Sequence, residues 1–167
     1  EITGQISSTV DGLEVVGGTY GVLVGNSASG TCDLDNIDLD GQSNAGVYYA
    51  KDMSGSLTGT VTNSAGAAYK FGPSTDKDRT FDSMTISSNA VGIDNAGTGD
   101  LEFTDVDMLN TKDFVISSTS KVTFVEGTVN TSSVEVTGVG EFSRMRLLEV
   151  GLTADGDDVE GATVTLI

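Results

Sequence analysis

The sequence predicts an all-β chain wound as a parallel β-helix, a β-solenoid of seven to eight rungs with about 20–24 residues each. Three observations predict it. A figure of apolar residues spaced three and then two recurs along the chain, most clearly at Phe103/Val106/Met108. A second figure, an apolar-x-apolar pair, recurs between copies of the first. The residues between the first two apolar positions of the first figure are mostly those that tolerate a left-handed backbone. A repeat of this length is the mark of a stacked coil.

In chain order the first figure reads Val10/Leu13/Val15, Leu34/Ile37/Leu39, Phe81/Met84/Ile86, Phe103/Val106/Met108 and Phe142/Met145/Leu147. Weaker copies stand at Leu57/Thr60/Thr62 and Phe124/Gly127/Val129, and the lead positions advance by 18 to 24 residues. The second figure occurs at Val22/Val24, Val47/Tyr49, Tyr69/Phe71, Val91/Ile93, Phe114/Ile116, Val134/Val136 and Val150/Leu152. Each rung is therefore predicted as a short strand, a loop of variable length, and two shorter strands joined by a two-residue corner. The corners are Asp11-Gly12, Asp35-Asn36, Thr58-Gly59, Asp82-Ser83, Thr104-Asp105, Val125-Glu126 and Ser143-Arg144. Gly, Asn and Asp accept positive φ at low cost, so the last two corners depart most from the pattern.

Rungs in parallel register lie about 4.8 Å apart, which makes a rod roughly 35 Å long. Phe81, Phe103, Phe124 and Phe142 are predicted to form one column inside it. Such columns fix the register, because a one-residue slip would turn every apolar side chain outward.

Composition narrows the function. The chain has 167 residues, 22 Gly, one Pro, no His and no Trp, and a formal charge of −17. That charge argues strongly against a nucleic-acid partner, since phosphate backbones are bound by Lys and Arg, and equally against an anionic membrane surface. No apolar run approaches the roughly 20 residues of a membrane span. The acidity has two readings: a hydrated surface, or carboxylates that collect divalent cations. Cys32 is alone, two residues before Leu34 and on the same side of its strand, so it is expected to be a small buried apolar group. The chain begins at Glu1 with no Met or leader, which fits a processed secreted protein or a piece of a longer one.

Gly21-Val22, then Leu34-x-x-Ile37-x-Leu39, then Gly46-Val47-x-Tyr49 resembles the repeats of right-handed parallel β-helix proteins with the pectin-lyase-like fold. The resemblance runs from Val10 to Leu152 and implies a right-handed β-helix over residues 1–152. That fold hosts lyases, hydrolases, adhesins and passive spacers alike. Its polygalacturonase-like hydrolases carry paired aspartates, a His and a Lys or Arg. Here His is absent, and Asp157-Asp158 lies in a turn with no Arg-x-Lys after it. Of the eight basic residues only Arg144 and Arg146 share a neighbourhood, with Glu141 and Glu149 as neutralising partners. A His-based triad and a Cys/His zinc site are excluded by composition. The chain is therefore expected to be non-catalytic.

Residues 153–167 are read either as a terminal rung, with Val159/Ala162/Val164 keeping the spacing, or as the start of a following immunoglobulin-like module. Stacked rungs expose strand edges at both ends, so neighbouring domains of the same polypeptide, or other copies, are expected there.

Two candidate sites remain. Asp33, Asp35, Asp38 and Asp40 project outward around Leu34, Ile37 and Leu39, a density of hard oxygen ligands that suits Ca²⁺, the one cofactor considered. They do not match a calcium loop, and a solvated acidic face explains them as well. Asp105/Asp107 and Asp155/Asp157/Asp158 are weaker versions of the same idea. Tyr48, outward between Val47 and Tyr49, and Tyr20 are candidate platforms for a sugar ring. The expected function is a non-catalytic segment of a large secreted or cell-surface protein, a rigid spacer or adhesion scaffold. The alternative is a polysaccharide-binding module attached to a carbohydrate-active enzyme.

Overall fold

A computed structural model describes residues 1–145 and the backbone of Thr153–Ala154 and Asp157–Asp158. Strands alternate between two sheets. The first sheet takes β1 (Gln5–Asp11) and β2 (Glu14–Val16), the second β3 (Tyr20–Val24), and so on in turn. There follow β4 (Ser29–Asp40), β5 (Ala45–Tyr49), β6 (Leu57–Thr62) and β7 (Ala67–Phe71). Then come β8 (Arg79–Asp82) with β9 (Thr85–Ser87), β10 (Val91–Asn95), β11 (Leu101–Leu109), β12 (Lys112–Ile116), β13 (Lys121–Thr128), β14 (Val134–Val136) and β15 (Glu141–Met145). One sheet has nine strands and the other six. All pairings within both are parallel, each strand bonding to its counterpart one turn away. The chain is a parallel β-solenoid of about six described turns. The further predicted figures, Val150/Leu152 and Val159/Ala162/Val164, lie outside the described residues.

The corner prediction holds at six of its seven sites. Gly12, Asn36, Gly59, Ser83, Asp105 and Glu126 all have φ between 51° and 120°. Each corner bends the chain within the nine-stranded sheet, so apolar side chains on both of its sides reach the same core. Leu34, Ile37 and Leu39 are at most 1% exposed, and Phe81, Phe103, Val106 and Phe124 are fully buried. In the first turn Val10, Leu13 and Val15 are only half-buried, since among the described residues no turn covers them from the far side. The stacked column is present: Phe81 and Phe103 lie 4.4 Å apart and Phe103 and Phe124 6.1 Å apart, nearly parallel. Cys32 is buried, as its position predicts.

Three registers differ from the prediction. Phe142 pairs opposite Val122, not Phe124, and its ring meets Phe114 at 5.1 Å. A two-residue slip keeps the inward side inward, so apolar periodicity cannot detect it. At the third turn Val61 fills the core, while Thr60 and Thr62 face outward. Gly59 stands opposite Ile37 and the corner is one residue shorter. A side chain there would place its Cβ 2.2 Å from the Ile37 carbonyl oxygen. In the second sheet the fourth pair is Ile93/Asn95, not Val91/Ile93, and Asn95 takes a slot that is apolar in the turns before and after.

Asn95 belongs to a set of interior polar groups that the apolar pattern did not predict. Where the chain leaves the nine-stranded sheet, Gln42 Nε2 donates to the carbonyls of Val15 and Asp40. Two turns on, Asn89 Nδ2 donates to the carbonyls of Val61 and Ser87, and its Oδ1 accepts from Ser64 N. Asn110 continues the ladder: its Nδ2 donates to Ile86 O, and its Oδ1 accepts from Asn89 Nδ2 at 2.9 Å. Buried main-chain groups at a bend must find partners, and these amides supply them from inside.

Beyond Met145, Thr153–Ala154 and Asp157–Asp158 pair antiparallel. The choice between a terminal rung and a new module for residues 153–167 rests mostly on residues outside the described set.

Candidate functional site

The acidic stretch Asp33–Asp40 alternates as predicted: Leu34, Ile37 and Leu39 point inward and the four aspartates outward. The structure does not draw those carboxylates to one point. Asp33 Oδ1 accepts from Ser56 N at 2.9 Å and from Ser56 Oγ at 3.2 Å. Asp35 Oδ1 shares the same hydroxyl at 3.0 Å. Asp40 Oδ1 accepts from Thr62 Oγ1 at 3.1 Å and Asn63 Nδ2 at 2.6 Å, and Asp38 is exposed. The bonds from Ser56 hold the Asp33 carboxyl below the usual aspartate range. Among the described residues no group of three or more Asp, Glu or Cys side chains is placed to hold a metal ion. Asp105 and Asp107 are both exposed, Asp155 lies outside the described residues, and of Asp157 and Asp158 only the backbone is described.

Tyr20 and Tyr48 are brought together. Their ring centroids are 5.7 Å apart at 26°, and Tyr20 Oη accepts from Asn44 Nδ2 at 3.1 Å. Both are half-buried, and Tyr48 lies in register with Leu23 and Lys70 on the outer side of the six-stranded sheet. Mutual stacking covers part of each ring, which narrows the face open to a sugar.

The basic residues divide into two kinds. Lys70 pairs with Asp94 at 3.1 Å and Lys112 with Glu135, each tying one turn to the next. Arg144 is exposed, and Arg146 lies outside the described residues. Arg79 is different. Its side chain is 4% exposed and occupies the inward position that Leu101 and Val122 fill in the following turns. Its guanidinium lies 4.2 Å from the Tyr49 ring centre and 3.5 Å from Asp52 Oδ1. A cation held against a ring face and beside a carboxylate is tolerated where a lone charge would not be. The signal was in the sequence: Arg79 stands two residues before Phe81, on the same side of its strand.

Asp52 also accepts from the backbone N–H groups of Asp76 and Lys77. Burial pushes its carboxyl up, but bonds from the Asp76 side chain and these N–H groups, with the charge of Arg79, outweigh it and hold it below the ordinary range. The bond to Asp52, with its charge, pushes Asp76 up. The signs are opposite. What Asp52 contributes is present above the ordinary aspartate value of about 3.9 and fades as pH falls through its lowered value. What Asp76 contributes is present in acid and fades as pH rises through its raised value. Asp52→Asn should therefore lower the melting temperature at pH 7 and converge with wild type as pH falls below the ordinary aspartate range, while Asp76→Asn should not lower it at pH 7. Melting curves of both variants across that range check the assignment.

The commoner role of the acids, which sequence reasoning missed, is to tie turns together. Asp78 Oδ1 accepts from Asp100 N, Asp100 Oδ1 from Lys121 N, and Asp113 Oδ2 from Asn130 N, at 2.7–2.9 Å. Asp78, Asp100, Glu102 and Lys121 line a shallow polar groove of about 300 Å³ on the outside of the nine-stranded sheet. At the first turn Ile2, Val10, Leu13 and Val22 line a more apolar cleft of about 230 Å³. No helix among the described residues is long and apolar enough to cross a membrane. Comparison with protein-family models, curated proteins and solved structures finds no match to this chain.

Proposed function

We propose that the chain is a non-catalytic segment of a large secreted or cell-surface protein, related to the right-handed pectin-lyase-like β-helices, and that it serves as a stiff acidic spacer or adhesion scaffold. The observation that supports this reading is the continuity of the two sheets. From β1 to β15 each turn is bonded to the next in parallel, with side-chain ties such as Lys70–Asp94 and Asp100–Lys121 added outside. Bending such a rod requires main-chain bonds to open on one side of it. The half-buried first turn and its apolar cleft fit a neighbouring domain of the same polypeptide seated against that end. Excising two whole turns from the full-length protein should bring the flanking modules closer by about 10 Å and leave their own activities intact. Small-angle scattering measures the first and assays of the modules the second. Loss of a catalytic activity on excision would sink the spacer reading.

A polysaccharide-binding module is the second reading, supported by the paired Tyr20 and Tyr48 rings. It expects retention on an acidic or neutral glycan that Tyr48→Ala abolishes while the variant still unfolds cooperatively.

A further inference from the structure

Asn130-Thr131-Ser132 is the one Asn-x-Ser/Thr triplet in the chain. Such a triplet is the acceptor pattern for N-linked glycans, and it needs an exposed position to be used. Asn130 has one. It follows the buried Val129 at the end of β13, is exposed, and opens a 3₁₀ turn over Thr131–Ser133. Everything about the residue except its amide nitrogen is held in place. Its main-chain N donates to Asp113 Oδ2 at 2.9 Å, its carbonyl accepts from Ser133 Oγ at 2.7 Å, and its Oδ1 accepts from Ser132 N at 3.1 Å. With Oδ1 turned back to the chain, Nδ2 points away from it.

The other asparagines make the contrast. Asn36, Asn44, Asn63, Asn89, Asn95 and Asn110 donate from Nδ2 within the fold, to Asp11, Tyr20, Asp40, Val61, Ser120 and Ile86 among others, whereas Asn26, followed by Ser27-Ala28, shares the unbonded Nδ2 but not the triplet. Asn130 Nδ2 has no partner among the described residues, and it alone stands in the acceptor triplet. A polar groove of about 360 Å³ lined by Thr111, Lys112, Ser132 and Glu135 borders the same turn, with room for a first sugar.

We propose that Asn130 is an N-glycosylation site, an inference that rests on the secreted reading above. The donor class is an oligosaccharide on a polyprenyl diphosphate, delivered by a membrane-bound transferase. The bond from the sugar C1 to the diphosphate oxygen breaks, and the lipid diphosphate leaves with that electron pair. Asn130 Nδ2 forms the new C1–N bond and gives up one proton to a base of the transferase.

The test is expression of the chain behind a cleavable leader in a host that carries such a transferase, with the intact mass read on protein pooled from cells and medium. Wild type and Ser132→Thr should carry the mass of one glycan, released by an amidase that leaves aspartate at position 130. Asn130→Gln and Ser132→Ala should have the bare polypeptide mass, and Ser132→Ala, which keeps the Asn130 cap, an unchanged melting temperature. Wild type recovered at the bare mass, or a glycan that persists in Asn130→Gln, overturns the proposal. Surface proteolysis of the source cells reads the secreted assignment separately. A competent acceptor on a protein kept inside the cell would sink the spacer reading, and a bare chain on a surface protein would sink this one.

Discussion

Phe103→Ala is expected to lower the free energy of unfolding by about 3–5 kcal/mol, the range for removing a fully buried phenylalanine. The ring stacks between Phe81 at 4.4 Å and Phe124 at 6.1 Å and meets the edge of Phe114 at 5.1 Å. Its strand, β11, is flanked on both sides, by β8 and β9 on one and β13 on the other, so neither neighbour is free to fold into the gap. Phe103→Leu keeps most of the volume and should cost under about 1.5 kcal/mol. Urea titration of both variants decides the point. A loss below about 1 kcal/mol for the alanine variant would mean that the aromatic column does not hold the middle of the rod. Because stability in a stacked fold is a sum of turns and interfaces, the hole should also broaden the transition as the two halves uncouple.

Asn89→Leu should be nearly as damaging, although it replaces an amide by an apolar group of similar size in a buried position. The substitution leaves the carbonyls of Val61 and Ser87 without this donor and Ser64 N without this acceptor, and it removes the Nδ2 bond to Asn110 Oδ1. Ser87 O keeps its bond from Asn63 N, and each buried group left unsatisfied costs about 1–3 kcal/mol, so with Val61 O and Ser64 N affected a total of about 2–6 kcal/mol is expected in the same titration. A neutral or stabilising result would show that water reaches the bend and that the amide ladder is dispensable.

Much of the architecture was legible because it depends on short-range rules. The three-then-two spacing requires a bend, and the bend requires positive φ, so six of the seven corners could be placed to within two residues, even where Ser83 and Glu126 are poor choices for it. Register was legible only to within two residues. Phe142 and Val91 were assigned to the wrong partners because a slip of two leaves the inward face unchanged. At Leu57 the pattern failed for another reason: Gly59 shortens the corner and moves Val61 into phase. The interior polar groups were invisible to an apolar search: Asn95 and Arg79 take inward slots that hold hydrocarbons in neighbouring turns, and Asn89 is buried at a bend the figures do not cover. A row of outward aspartates looks the same in sequence whether it gathers a cation or binds the chain one turn ahead, and only the positions of Ser56, Asp100 and Lys121 distinguish the two.

Those aspartates also have a direction. In the pairs Asp33–Ser56, Asp52–Asp76, Asp78–Asp100, Asp100–Lys121 and Asp113–Asn130 the acceptor always comes earlier in the chain than the N–H it receives. In these five bonds a polypeptide leaving the ribosome N-terminus first presents the carboxylate before the N–H has been made, although Asp33 and Asp113 also accept from the earlier Thr9 and Asn110. Winding can follow the order of synthesis, with each finished loop serving as the mould for the one being translated.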